Sequence, residues 1–412
     1  MTKYTIEPMP DWKLRILNRQ GLERILTIQP PEPVSVTGEK HENVSLYIEK
    51  KWRIGFRFDQ LKAMECSIAY SLLPDSVALK KTDGTLLKNG VDYLVDPVWG
   101  ACGRLPDSGF GENDTVFADY SYVPNRIDAV IRKGDDFFVR CGTANGANPV
   151  PPQAEAGEEL ICTIYFDRNR RYFTNSMVFQ FHEPYSPPQY TGDAERQLKN
   201  TLRKLRNGEK VRILFWGDSM TACLFIADET KRWPAMVTEE LRRRFPNAKI
   251  EPVVVGWPGK KSRAFFAEPP GSIYNYKEKV VDSGADLVFV EFTNDADLVF
   301  QADFDAVYNR IRDDFAGKNM ESVYILPHFV RPDWMGLTTQ KDIEEDPRPY
   351  IKLLRKFTCD NDFACADVSA RFLHLWKEGF PYNALMLNNI NHPNQQGVDY
   401  YRDAVCSLLP IS

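Results

Sequence analysis

Four short blocks in the second half of the chain combine a hydroxyl, an imidazole, an amide and permissive backbone. "RILFWGDSMTACLF", residues 212–225, is apolar up to Gly217, Asp218 and Ser219 and then turns apolar again. "GWPGKKS" follows with Gly256 and Gly259, "FTND" with Asn294 and Asp295, and "NNINHPNQQG" with His392. A serine hydroxyl attacks a carbonyl near neutral pH when a base stands beside it. The oxyanion that then forms needs fixed donors, usually backbone N–H groups and an amide side chain. Glycine lets backbone approach closely, and a serine at a helix start adds the positive end of the dipole. Ser219 alone fits an N-cap equally well. Asn294 and His392 tip the balance toward a nucleophile, and of the five histidines His392 has the best context.

Strands must deliver these blocks to one face. From about residue 194 apolar runs alternate with helical patterns. The strands are "VRILFWG", "IEPVVVG", "DLVFVEF", "SVYILPH" and "FACADV", and the helices include "RWPAMVTEELRRRF", "DFDAVYNRIRDDFAG", "RPYIKLLRKFTCDN" and "QQGVDYYRDAVCSLL". Near-continuous apolar strands between helices predict a parallel, doubly wound, flavodoxin-like sheet of five strands with helices on both faces. Ligands of such sheets bind beyond the C-terminal strand ends, where Ser219, Gly259 and Asn294 fall. Trp257, His328, Arg331 and Trp334 stand on loops at that end and are the candidate substrate contacts. Glu291 is an acid inside an apolar strand, either paired in the core or turned to the cleft.

Residues 1–185 read differently. Short runs with period-2 character, among them "VSLYIEKKWRIGFRF", "ECSIAYSL", "TVFADYSYV" and "LICTIYF", are separated by "KTDGT", "KNGVD" and "DSGFGEND". Such punctuation predicts an all-β, sandwich-like domain. Residues 186–207 serve as linker and connecting helix, leaving 208–412 as the α/β domain.

Over 208–412 the four blocks, in order, resemble the SGNH (GDSL-type) hydrolase superfamily, and the two-part layout is similar to its carbohydrate esterases that carry a β-domain. The resemblance implies Ser219 as nucleophile and His392 as general base. The oxyanion donors it implies are the Ser219 N–H, Gly259 (with Gly256 as the other candidate) and Asn294. It also implies an O-acyl ester on a small-molecule or oligosaccharide substrate and no cofactor or metal. One position departs. The family carries Asp three residues before the histidine, where this chain has Asn389. An Asp there orients the imidazole and stabilises its cation. Asn389 accepts the histidine N–H through its amide oxygen, or a backbone carbonyl does so and leaves a Ser–His dyad, or the site is weakened or repurposed. That departure keeps two alternatives open: a glycoside hydrolase using paired carboxylates among Asp218, Glu291, Asp295 and Asp333, and a catalytically weakened glycan-binding protein.

The bulk properties are those of a soluble, ordinary chain. It has 412 residues, 43% hydrophobic and 26% charged, with a net charge of −5. Nothing in that balance favours nucleic acid or an anionic membrane as partner. The opening stretch lacks the apolar core of a signal peptide and, with its Met1, points to a cytoplasmic location. The eight cysteines form no C-x-x-C pair. Cys359 and Cys365 are expected to be buried free thiols.

Overall fold

The computed structural model describes residues 3–49, 55–168, 171–186 and 190–409. Its chain falls into two compact units. The first comprises Met1–Pro184 with two later segments, Thr338–Asp342 and Leu375–His392, and the second comprises Tyr185–Leu337, Ile343–His374 and Pro393–Ser412. The sequence reading gave both later segments to the α/β domain. Their placement corrects it, because each bonds to residues of the first unit. Lys341 Nζ donates to the Val178 carbonyl at 2.8 Å, and the Thr163 hydroxyl donates to the Gly379 carbonyl at 2.6 Å.

The second unit is built on a five-stranded parallel sheet. Its strands are Lys210–Gly217, Lys249–Gly256, Leu287–Glu291, Glu321–Leu326 and Ala364–Asp367, in the spatial order second, first, third, fourth, fifth. This is the flavodoxin-like order. Successive side chains of a strand point to opposite faces, and both faces are apolar here. Leu214, Trp216, Val288, Val290, Tyr324 and Leu326 share one core with the helices Gln301–Ala316 and Pro349–Asp360. On the opposite face Phe215 stacks on Phe289 at 5.0 Å, and Trp233 of the helix Trp233–Arg244 packs edge-on against Phe215. Tyr401 of the last helix, Gln395–Leu408, lies 5.9 Å from Trp233. No helix among the described residues is long and apolar enough to cross a membrane.

The first unit contains four antiparallel sheets among its described residues. The strands Tyr4–Met9, Lys13–Asn18 and Glu23–Thr27 form one meander. It shares an apolar core (Leu14, Ile16, Val130, Ile161, Ile164) with the sheet of Asp136–Arg140, Arg126–Lys133, Glu159–Phe166 and Val178–Gln180. A second core, with Phe58, Leu72, Leu79, Tyr93, Cys102 and Tyr120, joins two smaller sheets. The layering is that of a sandwich. "ECSIAYSL" is a loop rather than a strand until Leu72. Part of "KKWRIGFRF" lies outside the described residues, and the remainder contributes the two-residue strand Phe56–Arg57. Cys359 is exposed rather than buried, and like Cys365 it is a free thiol.

Candidate functional site

The first strand ends at Gly217, and Asp218 then caps a single helical turn, Ser219–Ala222. Ser219 is 6% exposed. The sequence placed Ser219 at a helix start. The turn stops at Cys223, whose φ of 50° is left-handed, so the backbone N–H groups of one turn, rather than a long macrodipole, supply the local positive field. Trp233 Nε1 donates to the Met220 carbonyl at 2.8 Å and fixes the turn from the neighbouring helix.

Asp218 ties this turn to the exit of the third strand. Its Oδ1 accepts from Met220 N–H at 2.9 Å, and its Oδ2 accepts from both the backbone N–H and the side-chain Nδ2 of Asn294, each at 2.8 Å. The exit of the second strand is tied in as well. Trp257 N–H donates to the Gly217 carbonyl at 2.9 Å, and Ser262 N–H donates to Asp295 Oδ1 at 2.9 Å. Three strand ends carrying Ser219, Asn294 and the glycine loop are thus stitched to one another within the second unit. The two glycines separate by role. A Cβ on Gly256 would stand 2.4 Å from the Ala222 nitrogen, so Gly256 serves close packing against the Ser219 turn. Gly259 has φ of +73°, a left-handed backbone that favours glycine, and nothing within 4 Å of its Cβ position.

The acids near the strand ends are structural. Asp218, Glu291 and Asp295 are all 0% exposed. Glu291 accepts from the Thr221 and Thr293 hydroxyls, both at 3.0 Å. Burial, and then the Asp218 charge, push its carboxyl well above the usual range. Tyr308 donates to Asp295 Oδ2 at 3.0 Å, and burial pushes the Asp295 carboxyl up to about 6. An acid with a raised folded-state pKa binds its proton more tightly when folded. Its contribution is fully present below the unfolded value of 3.8 and is lost as pH rises toward 6. That shift corresponds to about 3 kcal/mol. We therefore expect Asp295→Asn to remove a decline in stability between pH 4 and 6 that wild type shows in thermal melts. Parallel melting curves for the two proteins across that range would contradict this assignment.

Two of the four substrate contacts suggested by sequence, His328 and Arg331, lie buried. His328 is 0% exposed, with Nδ1 2.6 Å from the Tyr401 hydroxyl and its ring packed on Phe372. Arg331 is buried and donates through Nε to Asp333 at 2.6 Å. Both are spent on holding the chain after the fourth strand. Trp257 is half-buried and stacked on Tyr274 at 4.3 Å, whereas Trp334 is 54% exposed.

His392 and Asn389 belong to the first unit, on the segment Leu375–His392. The loop closes on itself through Leu387 N–H to the His392 carbonyl at 2.7 Å. Asn388, which sequence analysis passed over, organises it. Its Oδ1 accepts from the N–H groups of Ile390, Asn391 and His392 at 3.0, 2.9 and 2.9 Å. Its Nδ2 donates to Glu65 Oε2 at 2.9 Å. The other oxygen of that carboxylate, Oε1, lies 3.1 Å from His392 Nδ1. That contact is one of charge and proximity rather than a hydrogen bond. Asn389 adopts a left-handed backbone, φ 56°, and its Nδ2 is buried without a hydrogen-bond partner. The acidic neighbour of the imidazole is Glu65 rather than the residue three before it. No local signal could have found Glu65, because 323 positions separate it from Asn388.

No family model and no curated protein matches the sequence. Similar solved structures include a two-domain esterase active on acetylated mannans, co-crystallised with mannopentaose. It is 14% identical with a TM-score of 0.44, and the match covers 54% of this chain and 56% of that one. The chain thus spans little more than half of that esterase. An acetyl xylan esterase matches at 17% identity and TM-score 0.39, over 48% of this chain and 100% of its own. An acetylxylan esterase from Geobacillus stearothermophilus matches at 18% identity and TM-score 0.38, over 48% and 94%.

Proposed function

We propose that the protein is a serine esterase that removes an acetyl or other small acyl group from a carbohydrate. The observation that carries this reading is the Asp218 bridge, which holds the Ser219 turn and Asn294 together at the mouth of the parallel sheet. In the mechanism His392 Nε2 takes the Ser219 proton as Oγ attacks the acyl carbonyl. The oxyanion is held by the N–H groups of Ser219 and Gly259 and by Asn294 Nδ2. An amide nitrogen carries two hydrogens, so Asn294 can keep one on Asp218 and offer the other. The imidazolium then protonates the departing alcohol, and water, activated by the same base, releases the acid. The pairing of Ser219 with His392 is supported by the order of the four blocks, and the carbohydrate alcohol by the family they resemble. Glycosidic cleavage has less support, since it needs two carboxyl groups facing a sugar and Asp218, Glu291 and Asp295 are fully buried.

Hydrolysis of p-nitrophenyl acetate and of acetylated oligosaccharides, beside a panel of nitrophenyl glycosides, tests the reading. Ester turnover with intact glycosides is expected. Glycoside cleavage without ester turnover would overturn it.

A further inference from the structure

We propose that Glu65, from the N-terminal β unit, is the positioning acid of the general base His392. The inference rests on the esterase reading of His392 and adds to it a residue that the motif does not contain.

The argument begins with the loop. Ile390 is buried in an apolar cluster with Ala63, Cys66, Ile68 and Trp99. Met64 N–H donates to the Leu387 carbonyl at 3.3 Å, and the Cys66 thiol donates to the Asn388 carbonyl. The chain on both sides of Glu65 is therefore fastened to the loop that carries His392. The carboxylate is held through one oxygen by Asn388 Nδ2 at 2.9 Å, which leaves the other 3.1 Å from His392 Nδ1. His392 is 7% exposed, whereas the Glu65 side chain is 33% exposed, so water reaches the contact from the carboxylate side only.

A carboxylate beside Nδ1 favours the tautomer with its proton on Nδ1 and a lone pair on Nε2. That lone pair is what a serine hydroxyl needs. When the hydroxyl proton moves to Nε2 the ring becomes a cation. Glu65 stabilises it across Nδ1–H and stays ionised, as the acid of a serine triad does. The asparagine three residues before the histidine is thereby accounted for, because the acid is supplied from elsewhere in the fold. Asn388 holds both members, the carboxylate through Nδ2 and the histidine backbone through Oδ1.

The test uses the full chain. Glu65→Gln keeps the shape and the capacity to accept from Asn388. It is expected to lower kcat on p-nitrophenyl acetate by about 10²-fold or more, toward the ~10⁴ seen when a triad Asp becomes Asn, with KM within about twofold. Glu65→Asp is expected to recover part of the loss. Nitrogen NMR supplies a readout that a purely structural role would not move: a His392 Nδ1 resonance at the protonated-nitrogen position in wild type that shifts toward the mixed-tautomer position in Glu65→Gln while methyl dispersion is unchanged. Wild-type kcat in Glu65→Gln, with Ser219→Ala and His392→Ala both inactive, would overturn the role of Glu65 and leave the esterase reading standing. A raised KM at unchanged kcat would likewise overturn it. Ester turnover that survives Ser219→Ala would instead overturn the esterase reading, and the resonance would still report whether Glu65 holds the ring.

Discussion

Ser219→Ala is expected to lower kcat/KM for acyl esters by about 10³-fold or more, the scale of losing a triad nucleophile. The substitution removes the hydroxyl and little else. Ser219 is the first residue of its turn, and the cap is Asp218, whose carboxylate accepts from Met220 N–H. Alanine retains the backbone N–H, so one oxyanion donor survives and the residual rate should exceed that of water. The thermal midpoint should move little, because the cap of the turn belongs to Asp218 and its bond to Met220 N–H is kept. Stopped assays with wild type and variant at matched concentration read the first expectation, and differential scanning calorimetry the second. A large loss of stability in Ser219→Ala would mean that the hydroxyl serves the fold.

Asn294→Ala is expected to lower kcat by about 10²- to 10³-fold, as removal of an oxyanion donor does. Here the structural and chemical roles can be separated. The Asn294 backbone N–H also donates to Asp218 Oδ2, so the loop stays anchored when the side chain is cut back. Of the three hydrogen bonds described above, Asp218 keeps two, from Met220 N–H, which caps the short turn, and from Asn294 N–H. The loss should therefore fall on kcat with a small change in KM, which is the mark of a group that binds the transition state rather than the substrate. Initial rates over a substrate series decide it. Equal losses in binding and stability would assign Asn294 to scaffolding.

The α/β unit was legible because its strands are buried on both faces. Runs such as "RILFW" and "LVFV" leave a sheet no polar side, and only helices above and below can cover them. The turns after those strands were legible for the same reason, since Asp218 and Asn294 are polar residues set abruptly against apolar chain. His328 misled because it continues the apolar fourth strand. Position at a strand end suggested the cleft, whereas the chain turns it onto Phe372 and Tyr401. The β unit was less legible because its pairings are long-range. Val34–His41 lies beside Val116–Tyr122, and no periodicity announces such a partner. The histidine loop failed for a related reason. "NNINH" reads as an extension of the α/β domain, yet Ile390 is buried against residues near position 66. Asn388 looks no different from Asn389 in sequence. Only the backbone, left-handed at 389, shows which of the two closes the loop.

The central claim is that Ser219 is a nucleophile activated by His392. Incubation of the native protein with a serine-directed phosphonate, followed by peptide mass spectrometry, tests it most directly. The account predicts one adduct, on Ser219, formed at a much lower rate in His392→Ala. An unlabelled Ser219, or labelling equally fast without the histidine, would contradict it.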